Sequence, residues 1–448
     1  MSEQIVIIGG VAAGMSAASK MRRLNPNLEI NVYTDEKFIS YAACGIPYYL
    51  SGDIKDIHEL VARTPEEFAE QNIHVHRENI VEKIIPKEKK IIIKNNQGTY
   101  EKYYDKLLIA TGAGARKVNF QGGDLGNIHT LRNLTDGIKI KEVLSKGIRK
   151  VIIVGAGYIG VEMVETFKKL GLETTIIEAG DRVLGNFDRE ISDTVEEYIK
   201  AEGIKVLLNE KVLGFKGING QVNKVITEKG EIDCDLVILT LGSVPNSKLA
   251  EDAGIELTKE KAIKINKYME TSIPDIYAAG DCASHYHIIY EKDVYIPLGT
   301  TANKQGRIAG TNMAGGRDAF AGIVGTAITR IINIGVARTG LSKKEAENLG
   351  IKAEEVLIES VDIARYYPGQ KPVKVKLIGS KDTKKLIGAQ IIGENNFAKR
   401  IDFLALAVQR GIRVEDLADT DMSYAPPFSP VWDPFLIAAG ILKDKLNK

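Results

Sequence analysis

Ile5-Val6-Ile7-Ile8-Gly9-Gly10-Val11-Ala12-Ala13-Gly14 is the stretch whose reading decides the fold. Four uninterrupted apolar residues suit a central parallel strand buried on both faces. A glycine turn follows, then a helix rich in small residues from about Ala13 to Arg23 and a second strand, Ile30–Tyr33. The chain therefore opens on a βαβ unit. Against the dinucleotide fingerprint G-x-G-x-x-G, Gly9 and Gly14 fill the first and third glycine positions, and Val11 stands at the second. The first glycine permits the tight turn and the third lets helix and strand pack closely. The helix N-terminus, with Val11, Ala12 and Ala13 around it, offers backbone N–H groups and a dipole to a pyrophosphate. An acid for the adenosine ribose is expected about 20 residues further on. The strand ends at Tyr33-Thr34-Asp35, so Asp35 is the nearest carboxylate, with a solvated strand-end Asp as the alternative.

The same grammar returns later in the chain. Val151–Val154 reads as a strand, Gly155-Ala156-Gly157-Tyr158-Ile159-Gly160 as a complete glycine turn, and Val161–Leu170 as a helix. The next strand, Thr174–Ile177, ends on Glu178. A carboxylate there accepts hydrogen bonds from both ribose hydroxyls and repels a 2′-phosphate, which favours NADH. Arg182 lies close enough in sequence to soften that preference. The separation of the two units is of domain size, so they read as two nucleotide-binding domains and not as a solenoid repeat.

Three further strands run into a single glycine: Leu107 to Gly112, Leu236 to Gly242, and Ile276-Tyr277-Ala278-Ala279-Gly280-Asp281. The first two end where a chain could pass between domains. Beyond about residue 325 the pattern changes to strand-like runs (Val373–Ile378, Leu386–Ile392) and a helical stretch from about Lys399 to Arg410, an α+β unit without a phosphate-type turn. The fold class is α/β: two Rossmann-type dinucleotide-binding domains plus a C-terminal α+β domain.

Composition narrows the function. Sixty basic and 59 acidic residues give a formal net charge of +1, which makes no case for nucleic acid or an anionic membrane. Three widely spaced cysteines, Cys44, Cys234 and Cys282, form no CxxC pair and argue for a reducing compartment. The N-terminus shows no basic region or cleavage site of a signal peptide, and no run is long and apolar enough for a membrane span. The expected setting is cytoplasmic, and no metal site is suggested.

Together with Ala110-Thr111-Gly112, Gly242-Ser243-Val244-Pro245-Asn246 and Ala279-Gly280-Asp281-Cys282-Ala283, the two turns resemble the two-dinucleotide-binding flavoprotein disulfide reductases over nearly the whole chain. The resemblance implies FAD on the first fold and NAD(P)H on the second. It also implies a C-terminal dimerisation domain and a homodimer. Expected limits are 1–115 and 249–325 for the FAD domain, 116–248 for the NAD(P)H domain and 326–448 for the dimerisation domain. Thr111, Gly112, Gly242, Gly280, Asp281, Thr301 and Ala302 join the cofactor residues on the same ground, with Asp281 at the flavin's ribityl or pyrophosphate region. Taken alone, Asp281 reads equally as a helix N-cap.

The dithiol members of that superfamily use a C-x4-C pair, which this chain lacks. Ser40-Tyr41-Ala42-Ala43-Cys44-Gly45-Ile46-Pro47 resembles instead the single-cysteine subgroup of coenzyme A–disulfide reductases, NADH oxidases and NADH peroxidases. Cys44 is then the redox cysteine, acting as a thiolate whose pKa a following helix N-terminus could lower. Its oxidised form must be a mixed disulfide with a small thiol, coenzyme A in this reading, or a sulfenic acid. The family's oxidases and peroxidases carry a histidine in the first turn. Val11 cannot take its place, so the coenzyme A branch is favoured. Lys20, Arg22, Arg23 and Ser40 are the expected ligands of that polyanion, with a solvated basic helix end as the alternative.

All six histidines lie at or before His287, so the C-terminal histidine of the dithiol relatives is missing. Resemblance offers Tyr424 and one of Tyr366 or Tyr367, reaching the cysteine of the partner subunit, as proton or hydrogen-bond donors. The expected activity is an FAD-dependent NAD(P)H:disulfide oxidoreductase acting on coenzyme A disulfide, persulfide or polysulfide. The alternatives are an NADH oxidase reducing O2 and a flavin-bound redox sensor or electron-transfer module.

Overall fold

The computed structural model describes residues 2–394 and 396–448. Gln4–Ile8 lies at the centre of a five-stranded parallel sheet ordered Ile276–Ala278, Lys106–Ile109, Gln4–Ile8, Glu29–Tyr33, Ile73–His76. Ile5, Val6 and Ile7 are wholly buried, as a strand covered on both faces requires. Helix Ala12–Leu24 packs on one face, sharing a core with Ile5 and Ile7. Helix Gly299–Met313 lies against it almost backbone to backbone: a Cβ on Gly306 would stand 2.3 Å from the Ala13 carbonyl oxygen. On the other face Val6 and Ile8 share a core with Ile84, Ile91 and Ile93, which come from the antiparallel sheet Ile80–Ile85, Lys90–Asn95, Gly98–Tyr103.

The second half repeats this plan. Its parallel sheet runs Lys205–Leu207, Glu173–Ile177, Lys150–Val154, Leu236–Leu239, Ile128–Thr130. A second antiparallel sheet, Val212–Ile218, Gln221–Thr227, Gly230–Asp233, shares a core with Ile152 and Val154. The chain passes between the halves on two short strands, Ala113–Ala115 and Ser243–Pro245, which pair antiparallel. Thr111 Oγ1 donates to the Asn246 carbonyl at 2.6 Å and Asn246 Nδ2 to the Thr111 carbonyl at 2.9 Å, closing the crossing.

The C-terminal part is an antiparallel sheet ordered Ala327–Ile331, Ile334–Gly340, Leu386–Gly393, Pro372–Ser380, Ala353–Val361. Helices Ile401–Arg410 and Pro434–Leu446 cover it and share its core. Phe428, Val431 and Trp432 are left exposed beside it. The architecture is α/β with an α+β C-terminal unit. Among the described residues, no helix is long and apolar enough to cross a membrane.

Candidate functional site

The two glycine turns are near copies. Gly9 has φ +114° and Gly155 φ +104°, a region side chains avoid. A Cβ would stand 2.1 Å from the Ala110 oxygen at Gly9 and 2.6 Å from the Thr240 oxygen at Gly155. Gly14 and Gly160 are as tightly held, with Cβ positions 2.0 and 2.1 Å from the carbonyl oxygens of Gly9 and Gly155. Helices Ala12–Leu24 and Tyr158–Lys169 start with no side-chain cap and no acid in the first turn. Their leading N–H groups are therefore left for an anion. At Gly157 a Cβ would meet nothing within 4 Å, so the turn is open where a phosphate would approach. Ile159 follows in the same first turn, and Asn186 Nδ2 donates to the Tyr158 hydroxyl at 2.9 Å.

Beside the first turn, Ala13, Gly280 and Ala302 converge: a Cβ on Gly280 would be 2.9 Å from that of Ala13 and 3.4 Å from that of Ala302. Thr301 is buried with Ala302 in the uncapped first turn of Gly299–Met313. Gly112 and Gly242, both at positive φ, border open space. No helix starts at Asp281, so its N-cap reading is corrected. Its Oδ1 is buried without a partner, and its Oδ2 is 3.8 Å from Arg132. Burial pushes this carboxyl up from the ordinary range, opposed by Arg132. An orphaned buried acceptor beside open helix N-termini calls for a ligand hydroxyl or N–H.

At the strand ends, Thr34 is buried against Gly10, and Asp35 is exposed. The neighbouring Glu36 turns inward to accept from the Tyr41 hydroxyl at 2.6 Å. Glu178 accepts from Ala156 N–H and Gly180 N–H, each at 2.7 Å, which fixes its carboxylate at the second turn with lone pairs to spare. Arg182 is engaged with Asp181 at 3.0 and 3.2 Å.

Cys44 lies in the 3-10 turn Ala43–Gly45 and is the one exposed thiol; Cys234 and Cys282 are buried. The loop is anchored to the first glycine turn, since Ser40 N–H donates to the Gly10 carbonyl at 2.8 Å. Ser40 holds a left-handed φ of +48°, and Gly45 leaves no room for a side chain, a Cβ there lying 2.1 Å from Leu60 Cδ2. The thiol belongs to an exposed residue yet is partly desolvated by its surroundings. Desolvation first, then the Glu162 and Asp281 carboxylates, push its pKa up, while Arg132 and a backbone bond act the other way. The helix that follows, Ile46–Ser51, has only six residues. The protein's own groups thus raise the thiol, against the lowering expected from the sequence. Arg132 and Glu162 belong to no motif and become visible only when the halves meet.

The basic residues divide. Arg22 donates to the backbone carbonyls of Pro26, Leu28 and Asn72, so it staples the fold, and its expected role as an anion ligand is corrected. Lys20 is half-buried and Arg23 exposed. In the C-terminal part, Tyr366 and not Tyr367 pairs with Tyr424, hydroxyl to hydroxyl at 2.8 Å. Both are open to solvent, 74% and 43% exposed. The contact with Tyr366 raises the Tyr424 pKa.

Two dinucleotide turns and a single accessible cysteine between them define a pyridine-nucleotide-linked thiol redox enzyme. The model of the pyridine nucleotide-disulphide oxidoreductases matches residues 3–306, and that of their dimerisation domain residues 326–434. This chain belongs to that family. It is 37% identical over 446 residues to an NAD(P)H sulfur oxidoreductase (CoA-dependent) of Pyrococcus abyssi, covering 99% of each chain. It is 37% identical over 450 residues to an NADH oxidase of Methanocaldococcus jannaschii, covering 99% of this chain and 98% of the other. The structure of an NAD-dependent persulfide reductase from A. fulgidus superposes with a TM-score of 0.96 at 36% identity, over 99% of this chain and 84% of that one. The family uses FAD and NAD(P)H, and the uncapped helices, the open glycines and the orphaned Asp281 oxygen fit a flavin dinucleotide and a nicotinamide dinucleotide.

Proposed function

We propose that the chain reduces coenzyme A disulfide, and by the same attack coenzyme A persulfide or polysulfide, at the expense of NAD(P)H. Cys44 acts as its single redox cysteine. The observation that carries this reading is the exposure of Cys44 beside the first glycine turn while the other two cysteines are buried. Residues 1–115 and 249–325 hold FAD through Gly9, Gly14, Asp35, Asp281 and the first turn of Gly299–Met313. Residues 116–248 hold NAD(P)H through Gly155–Gly160 and Glu178, and residues 326–448 form a homodimer interface. Bound FAD supplies the conversion of a nicotinamide hydride into an electron pair for sulfur.

The Cys44 thiolate attacks one sulfur of the substrate disulfide; a Cys44–S–S–CoA bond forms, the substrate S–S bond breaks, and the other thiol leaves. Two electrons from NAD(P)H then cleave the mixed disulfide and return the Cys44 thiolate. Each departing thiolate needs a proton, for which the Tyr366–Tyr424 hydroxyl pair, approaching from the partner subunit, is the donor. Lys20, Arg23 and Ser40 receive the polyanion. Val11, with no polar group, leaves a sulfenic acid without a partner, which supports the mixed disulfide. The enzyme acts in the cytoplasm in this reading.

The test is the intact mass of the purified protein under denaturing, non-reducing conditions, with and without dithiothreitol. An adduct on Cys44 of the mass of coenzyme A, lost on reduction, is expected. A second reading, NADH oxidase, is favoured by the relative of that name. One added oxygen on Cys44, or no adduct with brisk oxygen uptake, selects it.

A further inference from the structure

Three parts of the molecule, one of them the segment just after Cys44, are joined through one buried carboxylate. Glu165, only 5% exposed, lies on Tyr158–Lys169, the helix whose N-terminus is the second glycine turn. It accepts from Arg330 Nε at 3.2 Å and from Arg330 Nη2, from the Ile332 N–H at 3.1 Å, and pairs with Lys169 Nζ at 3.1 Å. Arg330 comes from the C-terminal sheet, and its guanidinium lies 5.4 Å from the centre of the Tyr48 ring, on the helix directly after Cys44. Lys169 in turn binds Asp53, just past that helix, at 2.7 Å. One turn earlier on the same helix, Glu162 accepts from Thr329 at 2.9 Å. Neighbouring residues of one C-terminal strand thus dock on two carboxylates, and both arms of the network end on the segment that carries the thiol.

A narrow recess lined by Pro47, Tyr48, Glu162, Glu165, Thr166 and Arg330 marks the junction, too tight to hold a ligand. Four donors on one buried carboxylate form the kind of satisfied, directional junction that has a single geometry. Removing its charge leaves Arg330 without its counter-ion in that position. We propose that Glu165 is a positioning residue: it locks the nicotinamide-binding helix, the Cys44 segment and the C-terminal sheet into one register, so that electrons from NAD(P)H reach the Cys44 site at full rate. This rests on the reading of Cys44 and the second turn given under Proposed function.

The test compares wild-type and Glu165→Gln holoenzyme, anaerobically, by the rate at which NADH bleaches the bound flavin, and by hydrogen exchange of peptides covering 46–53 and 327–333. Expected are a slowing of bleaching by about tenfold or more, the cost of small misplacement, an NADH KM within about threefold of wild type, and faster exchange in both peptides. Arg330→Met should reproduce the slowing, and the double variant should add little to it. Bleaching at the wild-type rate, or a slowing without altered exchange in 46–53, overturns the proposal. Should Glu165→Gln not fold, Lys169→Met cuts the arm to Asp53 at its exposed end, and a wild-type rate there overturns it equally. Failure of the underlying reading looks different: NADH then leaves the wild-type flavin oxidised, or alkylation of Cys44 leaves disulfide reduction intact.

Discussion

The two glycine turns share their first and last glycines and part at the middle glycine of the fingerprint. Gly9 matches Gly155 in φ, and Gly9 and Gly14 match Gly155 and Gly160 in the kind of carbonyl each one touches, whereas Val11 stands where the second turn has Gly157. The shared glycines are dictated by the fold, because a Cβ there collides with backbone that cannot move aside. The middle position is free of that constraint and is filled differently in the two turns. Gly157 leaves open space, while Val11 packs towards the cluster that holds Tyr41 and Ile46, the flanks of the cysteine loop. One turn therefore keeps its mouth open, and the other borders the loop that carries Cys44.

Cys44→Ser breaks this comparison most severely. It should abolish disulfide reduction, by about a thousandfold or more, while NADH still bleaches the flavin; disulfide reduction that survives would remove Cys44 from the mechanism. Next come the glycines required by the fold. Gly14→Ala and Gly160→Ala each force a Cβ onto a carbonyl, overpacking that costs about 1–3 kcal/mol. The first should release FAD, read by absorbance after gel filtration, and the second should weaken NADH in titrations while FAD stays. Equal loss of both cofactors from either variant would mean that the halves are not separable.

Gly157→Val writes the first turn into the second. With φ −75° and nothing within 4 Å, the fold should melt at the wild-type temperature, but the NADH KM should rise by about tenfold as the phosphate loses its approach. An unchanged KM would leave the open space without a purpose. The smallest effect crosses between the halves. Glu162 raises the Cys44 pKa because a nearby anion disfavours the thiolate. Glu162→Gln removes that anion, so the pH midpoint of Cys44 alkylation by iodoacetamide should move to lower pH. A midpoint that stays or rises would show that Glu162 does not act on Cys44 as an anion.

How much of this was legible in the sequence follows from how local each signal is. The central strands and both turns were readable, since an apolar run and a glycine spacing are written within about a dozen residues. The two small antiparallel sheets were not. Gly98–Tyr103 buries none of its residues fully and so carries no hydrophobic alternation. The C-terminal helix expected from Lys399 starts as a 3-10 turn, Phe397–Arg400, before Ile401–Arg410. Cys44 was found through its motif, but Arg132, Glu162 and Glu165 owe their places to chain segments far apart in sequence. Arg22 misled for the same reason, because the carbonyls it binds gather only after folding. That Tyr366 is the one whose hydroxyl meets Tyr424 is likewise something a pair of adjacent tyrosines does not encode.

The paired strands Ala113–Ala115 and Ser243–Pro245 have a consequence for how such a chain can change. The outbound and return passages lie side by side, with Ala113 opposite Pro245, so everything between them is suspended from one doorway. Loops behind that doorway can be lengthened or trimmed without moving either doorpost. A foreign nucleotide domain grafted there would need ends one strand spacing apart and, in place of Glu165, its own carboxylate for Arg330.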